Sequence, residues 1–541
     1  MTGTMKRVAL AVGVTLGGLS LAPTAGAVSV SANNLGQALI FPYYTVRGGW
    51  TTLFGVTNTS NQVVAVKVRF REAYNSRDVF DFNLILSPYD LWTAWVTDSP
   101  NGPVIRTEDS SCTVGNIVGT GATGVTFPAP VSYVGAFADG GPTTVDRMRE
   151  GYVEMIMMGA SPGTPSAVFP LAAGAIHGST TGTPPGCAAL VSAFQNPALL
   201  GSYGACPTGT SAVSGVSGTL RGEFCNYATS DTAATLPLQP LKGTYALVNG
   251  AKGFNAVGLP VALQNFRNTG AMTLQLDSVG AVAFNDSWHE PSMNSATSEG
   301  LQFVPTPTAT DPGTTTGGNG GAAAVSAALA HTNVINEWSR RSNPAAGWVT
   351  ATDWVLTFPT KNFFVDNDPG NRYAGRNTGR DNEVTGGSPA LADPFTEMFV
   401  DTSLSTPLRR GSSCDAISLT LRDREERSSA GLGFSPGASP QLCYEANVLT
   451  FNQGLILNSP IAASVNYSDP FLFGWMNIGL TSMENGTAAV DNSGLPVVGF
   501  AITSRDDSAT ALLSEAALYD HSYVSPQAGT DIDYPGGPPT P

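Results

Sequence analysis

Between residues 38 and 96 apolar and polar positions trade places with a period of two. Val64, Val66, Val68 and Phe70 alternate with Ala65, Lys67, Arg69 and Arg71, the pattern of a strand with one buried and one wet face. Phe80, Phe82, Leu84 and Leu86 repeat it, with Asp81 and Asn83 opposite. The runs Trp50–Thr57 and Leu91–Val96 are rich in β-branched and aromatic residues. Turn chemistry separates these runs at Asn58 to Asn61, at Asn75-Ser76 and at Ser87 to Asp90. Four strands at short, even spacing predict a β-meander, the seed of a sandwich.

The pattern recurs along the chain. Glu150–Met158 predicts a strand that places Tyr152, Glu154, Ile156 and Met158 on one face. Further strands are expected at Gly243–Val248, Val257–Phe266, Leu274–Phe284, Thr352–Thr360, Ile417–Leu421, Asn447–Phe451, Phe473–Leu480 and Leu495–Thr503. One helix is expected over Ala322–Trp338, stopped at Asn343-Pro344. The fold class is therefore all-β: two Ig-like or sandwich domains with long Gly/Ser/Thr-rich insertions and one short helix. Composition shifts suggest the bounds. A leader covers 1–27, an N-terminal sandwich 28–160, and a disulfide-clamped, loop-rich insertion 161–235. A β-rich continuation covers 236–304, a flexible linker 305–321, a C-terminal β-domain 322–524 and a disordered tail 525–541. An outer-membrane barrel is the rival architecture, but it predicts even strands and a C-terminal strand. The 38 prolines and the Pro-rich tail argue against it.

The first 27 residues change the picture from any β-protein to an exported one. Lys6 and Arg7, an apolar run from Val8 to Leu21, and Ala25-Gly26-Ala27 form a secretory signal peptide. Its removal takes two of the 26 basic residues, leaving 24 against 41 acidic ones, a net charge of −17. Such a surface repels phosphate backbones, so nucleic acid is not an expected partner. Six cysteines in an exported chain predict disulfides. The preferred pairing is Cys414–Cys443, Cys206–Cys225 and Cys112–Cys187. No later stretch is apolar enough for a transmembrane helix.

Candidate chemistry is sparse. Two G-x-S-x-G matches centre on Ser161 and Ser435, but proline follows each serine and removes the N–H that an oxyanion hole needs. Asp366, Asp368 and Asn371, ahead of or beside Gly370, resemble a calcium loop, and calcium is the one cofactor suggested. A polar turn explains the same residues. Asp146 to Glu150 and Arg422 to Arg427 read as charged turns with internal ion pairs. His177, His289, His331 and His521 lie in unrelated sequence contexts. Trp92 and Trp95 fall on opposite faces of one strand, which makes one of them a candidate for stacking on a sugar, though core packing is the stronger expectation for the tryptophans.

The opening meander, Arg149–Gly159, Thr352–Lys361 and Leu495–Thr503 together resemble a group of uncharacterised secreted or cell-surface proteins of Gram-negative bacteria. The first block also resembles Ig-like and fibronectin-like modules. The resemblance implies a β-rich extracellular scaffold and supplies no catalytic residues. The expectation is an exported structural or interaction protein of the outer surface, periplasm or extracellular space. Adhesion, or self-assembly with copies of itself or with other cell-surface components, is its expected role. Binding of extracellular polysaccharide is the alternative. A secreted hydrolase is the third possibility and lacks a nucleophile–histidine pair in the sequence.

Overall fold

The computed structural model describes residues 28–115, 117, 123–127, 141–162, 169–195, 223–224, 238–266, 292–293, 320–343, 348–365, 394–395, 400–401, 408–409, 413–429, 432–437, 439–467, 472–480, 482–484, 489–491, 494–507 and 514–526. The leader, Leu274–Phe284, the Asp366–Asn371 loop, His289, Cys206, Cys225 and most of the insertion and linker lie outside them.

The chain is built from strands, as its periodicity requires. In the first half a seven-stranded sheet runs Ser29–Val30, Val261–Gln264, Ala38–Thr45, Glu150–Pro162, Gln62–Glu72, Asp78–Leu86, Cys112–Gly115. A six-stranded sheet runs Phe254–Gly258, Leu241–Asn249, Thr51–Asn58, Leu91–Thr97, Val104–Arg106, Val125–Thr126. Their facing sides share one core that includes Phe41, Phe54, Val66, Val68, Phe70, Phe80, Phe82 and Trp92.

The expected meander takes a different form. Gln62–Glu72 and Asp78–Leu86 pair as a hairpin in one sheet. Thr51–Asn58 and Leu91–Thr97 pair with each other in the opposite sheet. Both connections are corners that cross between sheets, and Asn58 holds the two together. Its amide donates to the carbonyls of Gln62 at 2.7 Å and Ser87 at 2.8 Å, while its backbone N–H donates to Asp90 O at 2.8 Å. Turn residues announce that the chain bends; they do not say whether it folds back or changes sheet.

The face of Gln62–Glu72 expected to be wet is buried. Lys67, Arg69 and Arg71 are each no more than 1% exposed. Lys67 pairs with Asp81. Arg69 reaches Asp78 at 3.0 Å, and Arg71 reaches Glu154 at 2.8 Å. Glu72 accepts the backbone N–H groups of Tyr74, Asn75 and Arg77 and the guanidinium of Arg147, all within 3.0 Å, and so shapes the hairpin tip. Burial pushes the Asp78 carboxyl up to about 7 despite the adjacent Arg69.

Residues of the second half lie over this polar face. Arg71 sits 6.0 Å from the Phe363 ring, the Tyr152 hydroxyl is 3.4 Å from Pro359 O, and the Ala73 carbonyl accepts the N–H groups of Glu445 and Ala446.

The second half has a five-stranded sheet, Gln441–Leu442, Asp415–Asp423, Phe473–Leu480, Asn333–Ser339, Ser522–Val524. A larger sheet runs Gly433–Ser435, Ala463–Asn466, Ala446–Phe451, Trp348–Thr357, Val498–Asp507, Glu515–Asp520, with Arg341–Asn343 beside Trp348–Thr357. The larger sheet is buried on both sides. Trp354, Leu449 and Phe451 pack with Trp338, Met476 and Ile478. Val355, Val448, Phe500 and Ile502 join the core of the first half.

The loop after Ala446–Phe451 completes the junction. Asp353 Oδ2 accepts the N–H groups of Ile456 and Leu457 at 2.7 and 2.8 Å, and Ile456 O accepts the Trp50 indole at 3.0 Å. Burial pushes the Asp353 carboxyl up to about 7.

The expected helix ends early: Gly320–Leu329 is helical, but Ala330–His331 and Asn333–Ser339 are strands. Val334 and Trp338 are both buried. Their spacing of four suits one face of a helix or of a strand, and pairing with Phe473–Leu480 selects the strand. Short helices also form at Pro170–Gly174, Cys187–Gln195 and Asn362–Val365. Two of the expected disulfides are present, Cys112–Cys187 and Cys414–Cys443. No helix among the described residues is long and apolar enough to cross a membrane.

Two measurements follow from the buried charges. Arg71→Met and Glu154→Leu should each cost about 3–5 kcal/mol in chemical denaturation, because each strands a buried partner. Together they should cost clearly less than their sum.

The unfolded Asp353 carboxyl titrates near 3.8 and the folded one near 7. The folded chain therefore holds more protons in that window, and this carboxyl's contribution to stability falls as pH rises through it. Asp353→Asn should raise the melting temperature at pH 8 and flatten the difference in stability between pH 4 and 7.

Candidate functional site

Phe473–Leu480 lies in the middle of the five-stranded sheet. Its inward positions, Met476, Ile478 and Leu480, are buried, so the alternation turns Phe473, Trp475 and Asn477 outward. Trp475 is 39% exposed. Glu337 stands directly opposite it on one neighbouring strand and Arg422 on the other. An aromatic face between an acid and a base is thus fixed by register rather than by a loop.

Beside this row is a groove of about 440 Å³ lined by Trp475, Phe473, Arg424, Glu337, Asn336 and Tyr519, among others, within the ~300–1,000 Å³ of small-molecule sites. The Arg424 guanidinium lies over the Phe473 ring at 4.7 Å and is held by Glu425 at 2.8 Å. This extends the charged turn expected at Arg422 to Arg427, where Arg427 also pairs with Asp423 at 2.6 Å. Tyr519 is 55% exposed.

Trp338 belongs to the groove lining as well. It is buried against Phe451 and Tyr467, with ring centroids 5.6 and 4.5 Å away, and its indole N–H has no hydrogen-bond partner among the described residues.

His521 anchors the groove from behind. Its Nδ1 accepts from the Asn336 amide at 3.0 Å, and its Nε2–H donates to Val355 O at 3.0 Å. This arrangement needs neutral imidazole, and burial lowers its pKa to about 4. His331 stacks on Tyr523 at 4.3 Å and is lowered to about 4 by the same cause.

The other sequence candidates have different fates. Ser161 is buried within Glu150–Pro162, and Ser435 ends the strand Gly433–Ser435. Asp366, Asp368 and Asn371 fall outside the described residues. Among the described residues no cluster of three or more His, Cys, Asp or Glu could hold a metal. Trp92 is buried and Trp95 is half-buried on the outer side of its strand.

Trp475, Glu337 and Tyr519 were not singled out from the sequence, and Arg424 was read there only as part of a charged turn. The outward position of Trp475 was nevertheless available, since its strand was expected with the right bounds. Comparison with protein-family models, curated proteins and solved structures yields no match.

The unfolded His521 titrates near 6.5 and the folded one near 4. The unfolded chain binds more protons in that window, so this residue's contribution is complete above pH 6.5 and is lost as pH falls toward 4. His521→Gln should shift the acid-unfolding midpoint, followed by tryptophan emission, to lower pH.

Proposed function

We propose that the protein is an exported surface protein that binds extracellular polysaccharide, an adhesive role carried by the groove at Trp475. The observation that carries this reading is the exposed Trp475 face bracketed by Glu337 and Arg422, with the groove beside it. The C–H faces of a sugar ring lie against an aromatic plane, while carboxylate, amide and guanidinium groups take its hydroxyls. Glu337 and Arg424 give the groove both charges, which suits a neutral chain of hydroxyls better than a phosphate or a sulfate.

Two described disulfides and the leader pattern support export. A preformed groove on a rigid sheet needs little reordering on binding.

A glycan array screened with the full chain, followed by calorimetric titration of the best ligand, tests this. Trp475→Ala should weaken binding at least about tenfold, a loss of about 1.4 kcal/mol, with the melting temperature unchanged because the side chain is outward. Equal binding by parent and variant, or no glycan bound at all, would sink the proposal.

A further inference from the structure

The corner between the two sheets of the first half gathers a serine, a histidine and an aspartate that are far apart in sequence. His177 Nε2 lies 3.3 Å from the exposed Ser110 hydroxyl. Its Nδ1 lies 2.8 Å from Ser87 Oγ and 3.5 Å from Asp90 Oδ2.

Asp90 is fixed in place. Its Oδ2 accepts the Ser87 N–H at 2.9 Å, the Ser87 hydroxyl at 3.1 Å and the Ser111 hydroxyl at 3.2 Å. The turn that carries it is anchored in turn by Asn58, and Tyr89 N donates to Ser60 O at 3.1 Å. The Cys112–Cys187 disulfide ties the segment bearing Ser110 to the one that follows His177. The His177 loop is closed by Gly178 N to Thr183 O and Gly182 N to Gly178 O.

We propose that Ser110, His177 and Asp90 form a serine esterase site for carboxylic esters with short acyl chains. One tautomer satisfies the whole chain of contacts. Nδ1–H donates to Ser87 Oγ, and Ser87 O–H donates to Asp90. Nε2 then carries the lone pair that faces Ser110. The Ser110 hydroxyl has a second acceptor, Gly182 O at 3.1 Å; the contact to Nε2 is the productive one. The order of groups is that of a nucleophile, a general base and an orienting carboxylate, with Ser87 inserted between the last two.

Ser110 Oγ adds to the ester carbonyl carbon as its proton passes to His177 Nε2. The bond to the alcohol oxygen breaks, and the alcohol leaves with that proton. Water, giving a proton to the same Nε2, then attacks the acyl-serine, and the acid departs as Ser110 regains its proton. Ester and water become acid and alcohol, with no other reactant.

The surface position limits the acyl group to one that needs no deep cavity. Next to Asp90 in the chain, Tyr89 is 70% exposed and holds φ at 59°, and Leu91 is 53% exposed. A bulky residue rarely adopts that backbone conformation. It persists here as part of the turn that positions Asp90, and it sets an aromatic face at the same corner.

The test uses the full, disulfide-intact chain. A fluorophosphonate probe should label Ser110, located by peptide mass spectrometry, and p-nitrophenyl acetate should be hydrolysed. Ser110→Ala and His177→Ala should each lower kcat/KM at least about a hundredfold. Asp90→Asn should lower kcat with KM held, the mark of a positioning residue. Ser110 is exposed, so its alanine variant tests the site without disturbing the fold, and glycan binding at Trp475 should be untouched by it. Label found elsewhere or nowhere, or hydrolysis by Ser110→Ala at the parent rate, would overturn the assignment.

Discussion

Charges on one face of Gln62–Glu72 are buried, with the second half over the Arg71 end and the helices Pro170–Gly174 and Cys187–Gln195 over the Val63 end, and much of the architecture answers to them. Lys67, Arg69 and Arg71 leave water only because Asp81, Asp78 and Glu154 stand on the neighbouring strands, each diagonal to its partner in the strand pairing. Removing two charges from water costs several kcal/mol per ion before pairing returns it. Such a layer contributes little net stability. What it fixes is geometry, because these ion pairs come within reach in one register, and a slip of one residue would turn every charge into the apolar core. The hairpin tip, shaped by Glu72, then presents the Ala73 carbonyl to Glu445 and Ala446. Strand register in the first half and docking of the second half are therefore set by the same residues.

The large sheet of the second half is the other consequence of that docking. With Trp354 on one face and Val355 on the other, it serves two cores at once. Its neighbour, the five-stranded sheet, needs to bury only one face. That leaves the outward face of Phe473–Leu480 free, and Trp475, Glu337 and Arg422 occupy it as a row set by strand pairing. A groove placed on a sheet so firmly backed is rigid, and His521 and Asn336 hold its edge in a way that depends on an uncharged imidazole.

The corner at Asn58 shows a second use of a constraint. Two chain crossings between sheets need their backbone groups satisfied, and one buried amide satisfies both. The same tight corner hydrogen-bonds Asp90 to Ser87, and Ser87 to His177. A polar network that braces a corner and one that orients a base look alike up to the point where a surface hydroxyl joins it, and here Ser110 does.

The sequence by itself determined many of the strands and their inner faces. Phe473–Leu480 has the expected bounds, and Val64, Val66, Val68 and Phe70 are core, because a period of two follows from backbone geometry alone. It also marked a charged turn at Arg422 to Arg427, whereas the cysteine count left fifteen pairings open, and the fold brought Cys112 to Cys187 and Cys414 to Cys443. Tertiary structure decided the rest. Whether Asn58 to Asn61 closed a hairpin or changed sheet depended on partners distant in the chain. The outer face of Gln62–Glu72 is wet or buried according to whether another segment covers it, and local pattern carries no such information. Val334 and Trp338 fit two periods, and pairing with Phe473–Leu480 chose between them. Ser110, His177 and Asp90 carry no shared motif, since their proximity comes from a corner, a disulfide and a loop rather than from spacing along the chain.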